Sequence, residues 1–243
     1  MRRMMMGISR KIVKTTDFYQ ATAENVAPEI PNGVRNLVQN SSGNLGNINY
    51  WSNQSVIKSL SDDDGYYINY IKDLTSVTGR SFIENTSHYR KLSLAELNTS
   101  KFTISGHFRA NNSNDIEIQF WVRYTNDASR YSANTGRVTI PADGEWHYLT
   151  ATGKANKPVT EEEVKSYYPP LQIAITEGHA VDIDFKNTML EIGSTDHEWV
   201  PAPEDLGWST TLPAENSSKP YIWRYSYVEY DNESFETIGP NLM

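Results

Sequence analysis

Between residues 181 and 205 the chain reads VDIDFKNTMLEIGSTDHEWVPAPED, and this stretch restricts the fold more than any other. Val181, Ile183 and Phe185 alternate with Asp182, Asp184 and Lys186, so a strand here sends one face into a core and the other toward water. A second apolar patch, Met189, Leu190 and Ile192, follows before Gly193 ends the run. Pro201 and Pro203 lack the N–H donor that a ladder needs, so the chain has to leave the sheet around Trp199. The segment is predicted to be the closing strand of a domain.

Upstream, short apolar runs recur at 35–40, 56–60, 66–71, 101–109, 115–124, 137–140, 146–152 and 171–176. Turn-forming residues separate them at 62–65, 111–114 and 142–144. Strands at that spacing predict an all-β sandwich or jelly roll. One helix is expected from Thr160 onward, because Thr160 and Glu163 have the capping-box spacing, and it must stop before Pro169. A further strand is expected at 8–19, followed by a proline-marked loop at 20–33. Near the other end Tyr221, Trp223, Tyr225 and Tyr227 alternate with Ile222, Arg224, Ser226 and Val228, and Asp231-Asn232 turns the chain toward 235–238, which predicts a hairpin. A hairpin alone is marginal in water, so it needs partner strands.

Lys186, Leu190, Glu191, Gly193, Trp199, Pro201, Ala202, Pro203, Glu204 and Asp205 together resemble the ending of carbohydrate-binding-module-like β-sandwiches in tail, baseplate and fibre proteins of phages that infect Gram-positive bacteria. Asn36-Leu37, Asn40-Ser41 and the later Trp51 resemble the opening of the same modules. His197 stands where those families usually have threonine. The hairpin at 221–238, with Tyr19-Gln20-Ala21-Thr22, resembles a small collar module of phage tail proteins. The resemblance implies a galactose-binding-like jelly roll at 34–205, inserted in a small β domain built from 1–33 and 206–243. It further implies a homo-oligomer in a phage tail, made in the host cytoplasm, with other tail proteins and a host cell-wall saccharide as partners. A structural tail component whose sandwich binds no sugar is the alternative.

The net charge of −8 and the lack of a basic patch speak against a nucleic-acid partner, which needs cations to displace counterions from phosphates. The absence of cysteine excludes disulfides and thiolate metal sites. No run of about 18 apolar residues is available to span a membrane. The start, MRRMMMGISRK, is too short for a signal-peptide core, so exit from the cell by lysis is expected.

Candidate binding residues follow from strand alternation. Ile116, Ile118, Phe120 and Val122 assign one face of their strand to the core, leaving Glu117, Gln119, Trp121 and Arg123 on the other. An indole flanked by Gln and Arg suits a sugar: the ring stacks on the C–H face of a pyranose while polar neighbours bond its hydroxyls. Packing of Trp121 beneath a loop at 126–136 is the other reading. His107 and Arg109 lie opposite Ile104 and Phe108, and Gln172 opposite Leu171 and Ile173, so these are expected to join the same concave sheet. Tyr66, Tyr67, Tyr70 and Tyr131 are possible loop contacts. Trp51 and Trp199 are expected to close the core, and the family pattern places Trp146 in the core as well. For a structural calcium, which takes six to eight oxygens, the candidates are Asp182 with Asp184 and the run Asp62-Asp63-Asp64. A solvated acidic turn and strand face is the alternative. The histidines have no zinc-motif or triad context, and no strand sets two carboxylates facing each other beside the aromatic stripe, so a non-catalytic protein is expected.

Overall fold

The computed structural model describes residues 10–31, 33, 35–41, 48–52, 56–75, 80–87, 91–125, 133–155, 158–176, 180–214, 216–232 and 234–243. In chain order the strands begin with β1 (Ile12–Thr22), β2 (Ile57–Asp62), β3 (Gly65–Asp73), β4 (Arg80–Asn85), β5 (Lys101–Ala110) and β6 (Ile116–Val122). They continue with β7 (Ala133–Ile140), β8 (His147–Ala155), β9 (Leu171–Thr176), β10 (Ala180–Ile192), β11 (Tyr221–Tyr230) and β12 (Phe235–Leu242). A short helix, α1 (Leu94–Thr99), precedes β5. The chain divides into two compact units, one made of Met1–Asn32 and Leu206–Met243, the other of Gly33–Asp205.

In the smaller unit β1, β11 and β12 form an antiparallel sheet with β11 central. The aromatic alternation of β11 explains its core. Phe18 lies opposite Tyr225 in the ladder, their rings stack at 4.8 Å, and Trp208 meets Tyr225 edge-on at 4.7 Å. Buried indole N–H groups require acceptors. Trp208 Nε1 donates to the Glu29 carbonyl at 2.7 Å and Trp223 Nε1 to Thr22 Oγ1 at 3.0 Å.

The larger unit is an antiparallel sandwich of jelly-roll type. One layer has the order β2-β3-β10-β5-β8 and the other β7-β6-β9-β4, and the two run into each other at one corner. There, among the described residues, β7 and β8 pair through Ala133 with Ala155 and Asn134 with Lys154. Gly153 stands at this corner because a Cβ would collide with the Asn134 carbonyl. Between the layers Phe108 meets Phe120 at 5.6 Å, Phe102 meets Tyr124 at 6.5 Å and Trp51 meets Phe185 edge-on at 4.9 Å. Burying each such ring contributes about 2–3 kcal/mol as an upper estimate. The two apolar patches of 181–192 are one long strand, with a register shift between Lys186 and Met189 and Asn187 at φ 53. Such a bulge lets the face alternation restart out of phase.

Two local expectations are corrected. Residues 35–40 are buried but do not form a strand, because side chains rather than a ladder hold them: Asn36 Oδ1 accepts from Val38 N and Leu190 N, and its Nδ2 donates to the Thr188 and Val200 carbonyls. The expected helix after Thr160 is a single turn, Glu161–Glu163, with its capping box in place. The chain then pairs with the end of the β6 segment through a Thr125–Val164 bridge and Lys165 N to the Tyr124 carbonyl, and Pro169-Pro170 keeps the backbone extended. The helix that does form, α1, carries the same signal at Ser93 and Glu96.

The two ends of the larger unit are tied by the residues of the opening and closing motifs. Arg35 pairs with Glu204 at 2.8 Å, Asn40 N donates to both Asp205 oxygens at 2.9 and 2.8 Å, and Trp199 Nε1 donates to Ser41 Oγ at 3.1 Å. Trp51, buried as expected, donates through Nε1 to the Asn40 carbonyl at 2.9 Å. Burial pushes the Asp205 carboxyl up to about 6 despite the Asn40 donor, and the neighbouring Glu204 adds to the rise. Gly33 packs so close to Val200 that a Cβ would lie 2.7 Å from its Cγ1. His197, in the place of the usual threonine, holds the buried Glu191 carboxylate at 2.6 Å.

Candidate functional site

Strand alternation places the nominated residues, and the layers separate them. Phe108 of β5 and Phe120 of β6 face each other across the core, so their sequence neighbours point in opposite directions. His107 and Arg109 therefore lie on the outer face of β2-β3-β10-β5-β8. Glu117, Gln119 and Trp121 on β6, Arg123 just beyond it, and Gln172 on β9 belong to the outer face of β7-β6-β9-β4. The expectation of one groove lined by all seven is corrected: the set is two clusters on opposite faces of the sandwich.

In the first cluster Trp121 is covered. It is 8% exposed, with the Arg80 guanidinium 5.4 Å from its ring centroid and Phe82 edge-on at 5.8 Å. Its Nε1 donates to Gln119 Oε1 at 3.1 Å, the same oxygen that accepts from Arg80 Nη1 at 2.5 Å. Gln119 Nε2 donates in turn to the Thr135 carbonyl. Gln172, opposite Trp121 in the ladder, is also buried. Glu117 pairs with Arg137 at 2.6 Å. Arg123 is half-buried, its Nε bonded to nothing among the described residues. Among the described residues the cover consists of the β4 side chains Arg80 and Phe82. Residues 126–132 of the proposed covering loop lie outside the described residues, and 133–136 belong to β7.

The second cluster is richer than the two residues that led to it. Register sets Lys186 beside His107 and His107 beside Tyr148, and Tyr67 adjoins the Ile68 that ends the β3–β10 ladder opposite Phe185, so the row runs across β3, β10, β5 and β8. Trp146, just before β8, lies on this face and not in the core: it is half-buried, with Arg109 4.5 Å and Lys186 4.4 Å from its ring centroid and Tyr67 edge-on at 5.8 Å. That corrects its expected position. The cations explain why an indole is tolerated here, since each is attracted to the ring's π-face. Tyr148 is 44% exposed on this face, whereas Tyr66, also exposed, has the parity of the core-facing Ile68 and Tyr70 and does not belong to it. The Tyr148 hydroxyl donates to Asp196 at 2.8 and 2.9 Å, and burial together with that carboxylate pushes the phenol up to about 12. Tyr70, by contrast, is a core residue, its hydroxyl 2.9 Å from Ser81, and Tyr131 lies outside the described residues.

Asp182 and Asp184 anchor the same face but do not fit a calcium ion. Asp184 Oδ2 accepts from Arg109 at 3.0 and 2.6 Å and from Asn111 at 3.0 Å, and its Oδ1 accepts from Asn69 at 2.7 Å. Asp182 Oδ1 takes Asn69 and Asn111 as donors. Calcium needs these lone pairs free and oxygens on every side, whereas here they meet N–H groups and a guanidinium. Asp62, Asp63 and Asp64 form an exposed turn in which Asp62 Oδ1 caps Asp64 N at 3.0 Å. Among the described residues no group of three His, Cys, Asp or Glu could hold a metal, and no helix is long and apolar enough to cross a membrane.

No family model and no curated protein matches the chain. Solved structures do show similarity in fold. The carbohydrate-binding module TmCBM61, solved with β-1,4-galactotriose, is 15% identical, with 64% of this chain and 97% of that one covered and a TM-score of 0.39. CBM28, a module specific for non-crystalline cellulose, is 9% identical over 67% of this chain and 98% of its own, with a TM-score of 0.41. The tripod from the baseplate of bacteriophage Tuc2009 is 13% identical over 91% of this chain and 74% of its own, with a TM-score of 0.46.

Proposed function

We propose that the Gly33–Asp205 unit is a non-catalytic saccharide-binding module of a phage tail or baseplate protein, and that it meets host cell-wall glycan on the outer face of β2-β3-β10-β5-β8. The observation that carries this reading is the gathering of Tyr67, Trp146 and Tyr148 with His107, Arg109 and Lys186 on one sheet face. A pyranose has apolar C–H faces and a rim of hydroxyls, and a group of rings interleaved with donors answers both. The tail setting is supported by the opening and closing motifs, whose residues tie the unit's ends together. In that setting the protein is made in the host cytoplasm and assembles as a homo-oligomer with other tail proteins. Retention on purified cell walls tests the reading: the wild-type chain is retained and Trp146→Ala is retained far more weakly, with both folded. Equal retention of the two would sink it.

One observation favours a purely structural tail component instead. Trp121 and Trp146 each already carry a guanidinium from the chain itself. On that reading no glycan is retained by either protein.

A further inference from the structure

Lys186 is a buried cation without a filled hydrogen-bond shell. It is 8% exposed, its Nζ lies 4.4 Å from the Trp146 centroid, and it makes no hydrogen bond among the described residues. Its nearest carboxylate oxygen, Asp64 Oδ2, is 3.9 Å away on a side chain that is 75% exposed. An ammonium carries three donors, and those that the protein does not meet are left to water or to a ligand. Arg109 next to it is different, because Asp184 fills its fork and cancels its charge. Opposite Lys186 in the ladder, His107 Nδ1 is buried with no partner. Burial and the Lys186 charge hold the imidazole below its usual range, so it is neutral at pH 7.

The face thus holds an ammonium whose one carboxylate contact is long and lies on an exposed side chain and, beside it, an imidazole nitrogen buried without a partner. We infer that Lys186, with His107 at its side, is the recognition point for an acidic group, a carboxylate or a phosphate, on the bound saccharide. The inference rests on the saccharide reading above and narrows it to acidic glycans. A sugar hydroxyl offers Lys186 one acceptor and no charge; an acid group offers two or three acceptor oxygens and the missing counter-charge. Asp64 meets Lys186 from beyond hydrogen-bond distance on an exposed turn, and it swings into solvent when the ligand's acid takes its place.

The test uses the full chain and purified cell walls from a panel of Gram-positive bacteria, each in three forms: native, dephosphorylated with cold hydrofluoric acid, and carboxyl-reduced. Binding isotherms are expected to weaken at least ten-fold on one of the two neutralised forms, and which one identifies the acid. Lys186→Met is expected to lose the same factor on native walls and to be indifferent to neutralisation. Lys186→Gln serves if the methionine variant melts early, and the wild-type comparison of the three wall forms decides without any variant. Equal wild-type affinity for all three forms, or an acid preference that survives both substitutions, overturns the inference and leaves saccharide binding standing. Absence of binding to every native wall removes the saccharide reading itself, and the inference with it.

Discussion

Trp121 and Trp146 occupy similar chemical settings on opposite faces of one sandwich. Each lies outside the core and each is approached by an arginine, at 5.4 Å for Trp121 and 4.5 Å for Trp146. They differ in what the arginine does. Arg80 bonds a neutral amide and, with Phe82, closes over an indole whose N–H is already satisfied by Gln119. Arg109 is anchored from beneath by a buried carboxylate, its ring neighbours Tyr67 and Trp146 are half-buried, and Tyr148 on the same face remains open. A tryptophan with aromatic and cationic neighbours is therefore a lid's floor in one place and part of an exposed array in the other. What separates them is whether a neighbouring strand contributes bulky residues over the ring.

The contrast breaks most easily at Trp121. Trp121→Ala is expected to cost about 3–5 kcal/mol of unfolding free energy, because the indole is buried although it lies outside the main core, measured by urea denaturation. A loss below about 1 kcal/mol would mean that the indole is not packed as described. Arg109→Met comes next, at about 3 kcal/mol, because it strands the buried Asp184 with amide donors alone. Adding Asp184→Asn to Arg109→Met should recover most of that loss, and a double mutant as unstable as the single would show that the pair is not the cause. Trp146→Ala should weaken cell-wall binding by about 2 kcal/mol, the scale of an anchor aromatic, while costing less stability than Trp121→Ala. The reverse ranking would exchange the roles of the two faces. The smallest effect is expected for Arg80→Met, about 1 kcal/mol of stability from one cation–π contact and one neutral acceptor. A drop as large as that of Arg109→Met would erase the distinction between the two arginines.

Much of the sandwich is legible in the sequence because alternation is a direct image of burial. Ile116, Ile118, Phe120 and Val122 face inward, as do Leu171, Ile173 and Ile175. β4 is silent by that measure: Ser81 and Asn85 share its core face with Ile83, and the Tyr70 hydroxyl and the Gln39 carbonyl are their partners. The site is less legible for a related reason. Alternation says which residues share a face of one strand, but it does not say which strands share a layer, and so His107 and Trp121 read as neighbours. The row from Tyr67 to Tyr148 exists only once register is set, and the bulge at Asn187 helps set it. Lys186 looks like any solvent-facing lysine until its cross-strand neighbours are known. Trp146, just before β8, alternates with Tyr148 onto the outer face, but alternation alone does not say which face of that strand is outer.

The tie between Arg35, Asn40, Glu204 and Asp205 also has a meaning for the smaller unit, whose own chain is interrupted between Asn32 and Leu206. To that unit the whole intervening module is a loop, and the cost of a loop depends on the separation and freedom of its ends. Folded and fastened, the module acts as a short staple. Unfolded, it is a tether so long that closing it costs about 4–5 kcal/mol by logarithmic scaling. The two units are thus energetically linked through chain connectivity alone: whatever loosens the fastening taxes β1 pairing with β11, and whatever stabilises the module, a bound glycan included, stabilises a sheet that the glycan need never touch.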